Sequence, residues 1–289
     1  MKPNKSFALA PTFLVDPENV LDNRSLVRTG TYSDGNCFFH ALLRAIDIQY
    51  RKQTTHYAHL RIVEQFRKNL VEWITPEVFQ SLGNGEQVRL YFMTEFNLLL
   101  EESSKNEEND ALLDIIHKLL PYSVIEREIL PLVLNKHSDS FYKLFCWQTE
   151  KYIRAQLTKT DSQKVQLLCS HMRNHFIRLF KSAHQNAIEK FKTKMQTMGE
   201  YVDSFQMECI SKYTGYNFVF IDETRGNGYS GISHMVNFDE NRKCLVFLWV
   251  DENHFEIVGE VEHKNIINRI FDSDDKLIQT LVEQHAIQT

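Results

Sequence analysis

The spacing of apolar positions divides the chain into three stretches of different texture. In the first, Phe38, Phe39, Ala41, Leu42, Ala45, Ile46 and Ile48 recur mostly at helical intervals. They follow the turn and cap formers Ser33, Asp34, Gly35 and Asn36. The pattern predicts a helix beginning near residue 37, with Asp34 as its N-cap accepting the N–H of Asn36 or Cys37. "HLRIVEQFRKNLVEWI" (59–74) predicts a second amphipathic helix, and Pro76 with "LGNGE" (82–86) interrupts the pattern. Residues 1–28 read as an irregular arm.

The second stretch, 86–198, contains no glycine and only Pro121 and Pro131. Its apolar residues keep helical spacing, as in the stripe Leu112, Ile115, Ile116 and Leu119, and one long helix is predicted to begin near Asp161. The third stretch opens at Gly199. "EYVDSFQMECISKYTG" predicts a helix closed by Gly215, and "YNFVFID", "HMVNF", "CLVFLWV" and "HFEIV" predict strands. The polar turns "DENRK" and "VDEN" and a glycine-rich loop, "TRGNGYSG", separate them, and "DDKLIQTLVEQH" has helical character. No strong linker intervenes, so the halves on either side of the helical lobe are expected to form one domain. The segments are 1–28 (arm), 29–85 (first core part), 86–198 (inserted lobe), 199–262 (second core part) and 263–289 (C-terminal segment).

Composition narrows the class. Of 289 residues 43% are hydrophobic and 12% aromatic, enough for a substantial core. A formal charge of -5 and the lack of a basic tract give no support to a nucleic-acid partner. Pro11, Asp16 and Glu18 break up any signal-peptide core, and no stretch has the apolar length of a membrane span. The cysteines at 37, 146, 169, 209 and 244 are odd in number, scattered and without CxxC pairing. That pattern suits reduced thiols in a cytosol-like compartment.

Candidate chemistry centres on Cys37. In the first turn of a helix, the dipole favours a thiolate and the unpaired N–H groups favour an oxyanion. The competing reading is a buried structural cysteine. A thiolate nucleophile needs a base. His254 opens the strand "HFEIV" after a turn, and alternation places Glu256 on the same strand face, where its carboxylate could orient the imidazole. The competing reading there is a surface histidine in a hairpin.

"SDGNCFF" together with "NHFEIV" resembles the OTU (ovarian tumour) family of cysteine deubiquitinases. "HLRIVEQFRKNLVEW" is similar to that family's Leu-Arg helix, and "GEYVDSFQMECISKYTGYNFVFI" to its helix-to-strand segment before the histidine. The resemblance covers roughly 28–75 and 195–262, and a helical insertion at this place is similar to the Lot-type OTU deubiquitinases of bacterial effectors. It implies an α+β fold with a papain-like cysteine protease core, a central sheet between helices, and an inserted α-helical lobe. It implies Cys37 as nucleophile, His254 as general base and acid, and Asp34 as the aspartate shaping the nucleophile loop. Its implied partner is ubiquitin or polyubiquitin, cut after the C-terminal glycine without metal or organic cofactor, and for a secreted effector the site of action would be a host cell. Two positions depart from the family pattern. His40 replaces the more usual Arg, a change expected to alter local packing. Glu256 stands where Asp or Asn usually orients the imidazole, leaving Asp251 and Asn253 as other candidates. An OTU module that binds ubiquitin with little turnover, or a protease for another ubiquitin-like modifier, are the alternatives.

"CSHMRNH" places Cys169, His171 and His175 together, with the histidines one helical turn apart, a spacing that can bind zinc. Met172 stands where a zinc-protease helix has Glu, so no metal is assigned there. "FYKLFCW" (141–147) reads as core.

Overall fold

The computed structural model describes residues 10–14, 24–105, 111–129, 138–157, 162–224, 228–236, 238–251, 254–262 and 266–288. The chain divides into two units, Met1–Thr75 with Lys192–Thr289, and Pro76–Phe191. It is a mixed α+β protein.

The first unit holds the sheet. Its strands are β1 (Pro11–Phe13), β2 (Leu26–Thr29), β3 (Asn217–Thr224), β4 (Gly228–Val236), β5 (Cys244–Val250), β6 (His254–Val261) and β7 (Ile267–Asn268). They are ordered β1-β2-β6-β5-β3-β4, with β7 on β6. β3 and β5 run parallel, and the other described pairs are antiparallel.

Around the sheet lie helices α1 (Cys37–Ile46), α2 (Ile48–Arg51) and α3 (His56–Trp73). The second unit contributes α4 (Pro76–Gln80), α5 (Glu86–Lys105), α6 (Ala111–Leu119), α7 (Ser138–Gln156) and most of α8 (Ser162–Gln196). The first unit continues with α9 (Ser204–Thr214) and α10 (Lys276–Gln288). Among these described helices, none is long and apolar enough to cross a membrane.

Local chemistry sets the helix limits. Asp47 ends α1 and caps α2, its carboxylate accepting from the N–H groups of Gln49 and Tyr50. Thr55 caps α3. Asp203 and Gln206 form a reciprocal capping box on α9, which closes on Gly215 in the left-handed conformation, as predicted.

The sheet is covered on both faces. On one, Phe38 of α1 meets Phe218, Phe220, Phe247 and Phe255, with ring centroids 5.0–6.4 Å away. On the other, Val219, Ile221, Val246, Leu248 and Val258 pack with Leu277, Ile278 and Leu281 of α10. Period-2 alternation along β3 and β5 separates these two sets. The second unit has its own core, in which Phe96, Phe145 and Phe176 meet edge to face.

Three expectations need correction. The irregular arm is partly sheet, because β1 and most of β2 fall within residues 1–28. Arg28 hides β2 in the sequence, yet all four β2 residues are buried and Arg28 pairs with Glu223 and Glu256. The helical unit runs 76–191 where the spacing predicts 86–198. Its earlier start follows from Phe79, fully buried among the rings of Tyr91 and Phe191. The glycine-rich segment is strand from Gly228 onward, and residues 225–227 lie outside the described residues.

Phe38 is 1% exposed and touches four rings of the sheet. Phe38→Ala is expected to lower unfolding free energy by about 3–5 kcal/mol, seen as a fall in urea midpoint at unchanged m-value. A loss below about 1 kcal/mol would contradict this packing.

Candidate active site

The loop before Cys37 is built around two glycines. Gly35 has φ +79° and Gly199 φ +80°, both in the left-handed region. A Cβ on Gly35 would sit 2.0 Å from the carbonyl oxygen of Gly199, so residue 35 must be glycine for the two backbones to approach. Asn36 joins them, its Oδ1 accepting from the Gly199 N–H at 3.0 Å and from Arg67 Nη2 at 3.0 Å. Arg67 also donates to the carbonyls of Met195 (2.9 Å) and Glu200 (3.3 Å), and its guanidinium lies 4.0 Å from the centre of the Phe39 ring. Burial lowers its pKa to about 10, opposed by the charges of Glu200 and Asp34.

Asn36, not Asp34, is the N-cap of α1, and its side chain makes no capping bond there. The expected bond from the Asn36 N–H to the Asp34 carboxylate is present, Oδ1 accepting at 2.9 Å across the turn at Gly35. Asp34 Oδ2 accepts from His40 Nε2 at 3.0 Å and His56 Nε2 at 2.7 Å. Burial works against this carboxylate's charge, but these bonds outweigh it and hold the pKa well below the usual range. His40 thus does more than alter packing. It is fully buried and links Asp34 to the Tyr50 hydroxyl, which lies 2.6 Å from its Nδ1.

Cys37 opens α1, and His254 opens β6. The two elements pack together, and the backbone N–H of Phe255, the residue after His254, acts to lower the Cys37 pKa. Both side chains are 2% exposed. Burial pushes the Cys37 thiol up to about 11, against the pull of the N–H groups of Phe255, Phe38 and Cys37 itself. Burial, helped by the positive charge of Arg28, lowers His254 to about 4, although Asp34 and Asp251 oppose it. The helix dipole predicts a thiolate at this position. Desolvation outweighs it, and the resting pair is thiol and neutral imidazole.

Glu256 shares the strand face of His254 but bonds elsewhere. Its carboxylate accepts from Arg28 Nε at 2.6 Å within a buried ion pair. At His254 Nε2 the structure places Thr31, whose Oγ1 is 3.2 Å away and donates to the Phe255 carbonyl at 2.7 Å. One hydroxyl proton cannot serve both contacts, so Oγ1 accepts from Nε2–H, which leaves Nδ1 as the basic nitrogen. Asp251 is exposed in the turn at φ +49°, and Asn253 lies outside the described residues.

Sequence reasoning missed Thr31, Arg67 and Gly199. Only Gly199 left a local trace, as the first glycine after a long stretch without one. The five cysteines are free and buried, and Cys169 sits in the core of the second unit. No protein-family model matches the chain, and no curated protein matches its sequence.

Only the thiolate attacks an alkylating agent. The iodoacetamide reaction of Cys37 in the free protein, followed by mass spectrometry, is therefore expected to keep accelerating as pH rises from 7 towards about 11. A plateau reached near neutral pH would show a preformed thiolate–imidazolium pair and overturn this assignment.

Proposed function

We propose that the chain is an OTU-type cysteine hydrolase that cleaves isopeptide bonds after the C-terminal glycine of ubiquitin. The observation that carries the reading is that Cys37, at the first turn of α1, and His254, at the start of β6, are both buried on two elements that pack together. The substrate class rests on the ordered resemblance of the segments containing Cys37, Arg67, Gly199 and His254 to OTU deubiquitinases. The central sheet between helices supports the papain-like core that this resemblance implies.

In the proposed reaction Cys37 Sγ attacks the glycine carbonyl as His254 Nδ1 takes the thiol proton. The Cys37 N–H at the helix start faces the developing oxyanion. The imidazolium then gives its proton to the departing lysine amine, leaving a thioester between ubiquitin and Cys37. Water, deprotonated by His254, releases ubiquitin and restores the thiol. Asp34 takes no proton; it shapes the loop through Asn36. Thr31 replaces Glu256 as the group that holds the imidazole, and Glu256 contributes through Arg28.

A second reading, a ubiquitin-binding module with little turnover, is favoured by one observation. Cys37 is almost wholly covered and neutral in the resting state. Five free thiols suit the reducing setting that a bacterial effector meets inside a host cell.

Reaction with ubiquitin carrying a C-terminal electrophile separates these readings. The expected result is a single adduct on Cys37, absent in Cys37→Ala, together with polyubiquitin cleavage. Binding without adduct would favour the second reading, and preference for another modifier's electrophile would change the substrate. Thr31→Val is expected to lower kcat by about 10- to 100-fold, short of the roughly 10²–10⁴ supplied by the base itself. Thr31→Ser should recover most of it. Glu256→Gln should chiefly lower Tm, and the opposite ranking of the two sites would return the orienting role to Glu256.

A further inference from the structure

Three side chains able to bind a metal converge beside the nucleophile loop. The ligand atoms of Asp34, His40 and His56 all lie within 4.8 Å of one another. Asp34 Oδ2 is 3.0 Å from His40 Nε2 and 2.7 Å from His56 Nε2. Each of the three is aimed by another group. The Asn36 N–H holds Asp34 Oδ1 at 2.9 Å, and the Tyr50 hydroxyl holds His40 Nδ1 at 2.6 Å. The His56 ring lies against Tyr32, with centroids 4.1 Å apart. Tyr32 is in turn fixed by its hydroxyl on His59 Nδ1 at 3.1 Å, and His59 Nε2 lies 3.1 Å from the Tyr50 carbonyl. Outer groups of this kind fix the ring orientation of metal-binding histidines.

The cluster is closed on one side and open on the other. The His40 side chain is fully buried, that of Asp34 is 21% exposed, and that of His56 is 44% exposed. A cation could therefore enter past His56 and keep a water ligand. The geometry points to a binding site for one borderline divalent cation of the zinc type, held by Asp34 Oδ2, His40 Nε2 and His56 Nε2, with water as fourth ligand. Two imidazoles and one carboxylate suit zinc, cobalt or nickel, whereas magnesium and calcium prefer oxygen. Ligand atoms about 2.0–2.1 Å from a tetrahedral zinc lie about 3.3 Å apart, so the two contacts of Asp34, at 3.0 and 2.7 Å, have to open slightly. Each neutral ring binds by moving its proton from Nε2 to Nδ1. At His40 that proton is then donated to the Tyr50 oxygen, whose hydroxyl turns away, and no proton need be released.

The site bears on the nucleophile because Asp34 does. Its charge raises the Cys37 pKa, and its Oδ1 holds the N-cap residue of α1. A bound cation would compensate that charge and tie the loop to α3 through His56. The inference does not depend on the reaction assigned to Cys37, since its test reads binding and melting.

The test uses the full chain with zinc alone, in competition with a chromophoric chelator. Zinc also binds catalytic thiolates, so the reference protein is Cys37→Ala. One zinc per chain is expected in Cys37→Ala, with a raised Tm and no response to magnesium. His56→Ala, at an exposed position, is expected to weaken zinc binding by at least about tenfold and to abolish the Tm shift. Asp34→Asn should weaken it too while keeping the bond to the Asn36 N–H. Cobalt(II) in its place should give tetrahedral d–d absorption without a thiolate charge-transfer band. Undiminished binding in His56→Ala, loss of binding in Cys37→Ala, or a thiolate band would each overturn the assignment.

Discussion

The site hangs on one buried cation. Arg67 is 1% exposed; its Nε has no hydrogen-bond partner among the described residues, but both terminal nitrogens and the face of the guanidinium have partners. They are the Asn36 side chain, the carbonyls of Met195 and Glu200, and the Phe39 ring. All belong either to the segment around Cys37 or to the stretch in which the chain returns from the helical unit. Arg67 therefore closes a contact between parts of the sequence 163 residues apart, as the bond from the Gly199 N–H to Asn36 shows. The left-handed glycines at 35 and 199 make room for it. From Gly199 the chain passes through α9 into the sheet, whose strand β6, starting at His254, packs against α1.

Electrostatics within the site follow from how thoroughly water is excluded. Desolvation raises the Cys37 thiol and lowers the His254 imidazole, so neither carries charge at rest. Arg28 adds to this balance by disfavouring the imidazolium, while Glu256 and Glu223 compensate its own charge. Glu256 is thus tied to the field around His254 through its ion pair with Arg28.

A second polar network, from Asp34 through His40, Tyr50 and His59 to Tyr32, stiffens the loop that precedes Cys37. It joins the loop to α1, α2 and α3 without using Cys37 or His254. The loop is held by residues other than Cys37 and His254, and Asp34 links it to the Cys37 thiol, whose pKa its charge raises.

Much of this protein was legible from local chemistry. The start of α1 at Cys37, the Gly215 stop, strands β3, β5 and β6, and the long helix from residue 162 follow from cap residues, glycine and apolar spacing, which act within a few residues. Cys37 and His254 stood out for the same reason, each beside a turn at the start of a regular element. Tertiary structure decided what lies across the sheet or across the helical unit. Arg28 looked too polar for a buried strand because its acidic partners are about two hundred residues away in sequence. The cap role moved from Asp34 to Asn36 because Gly35 had to turn towards Gly199. Glu256 meets Arg28, and His254 meets Thr31, because strand pairing brings residues from β2 and the segment after it beside β6. Spacing along one strand shows which residues share a face; only the packed sheet shows which partner each one meets.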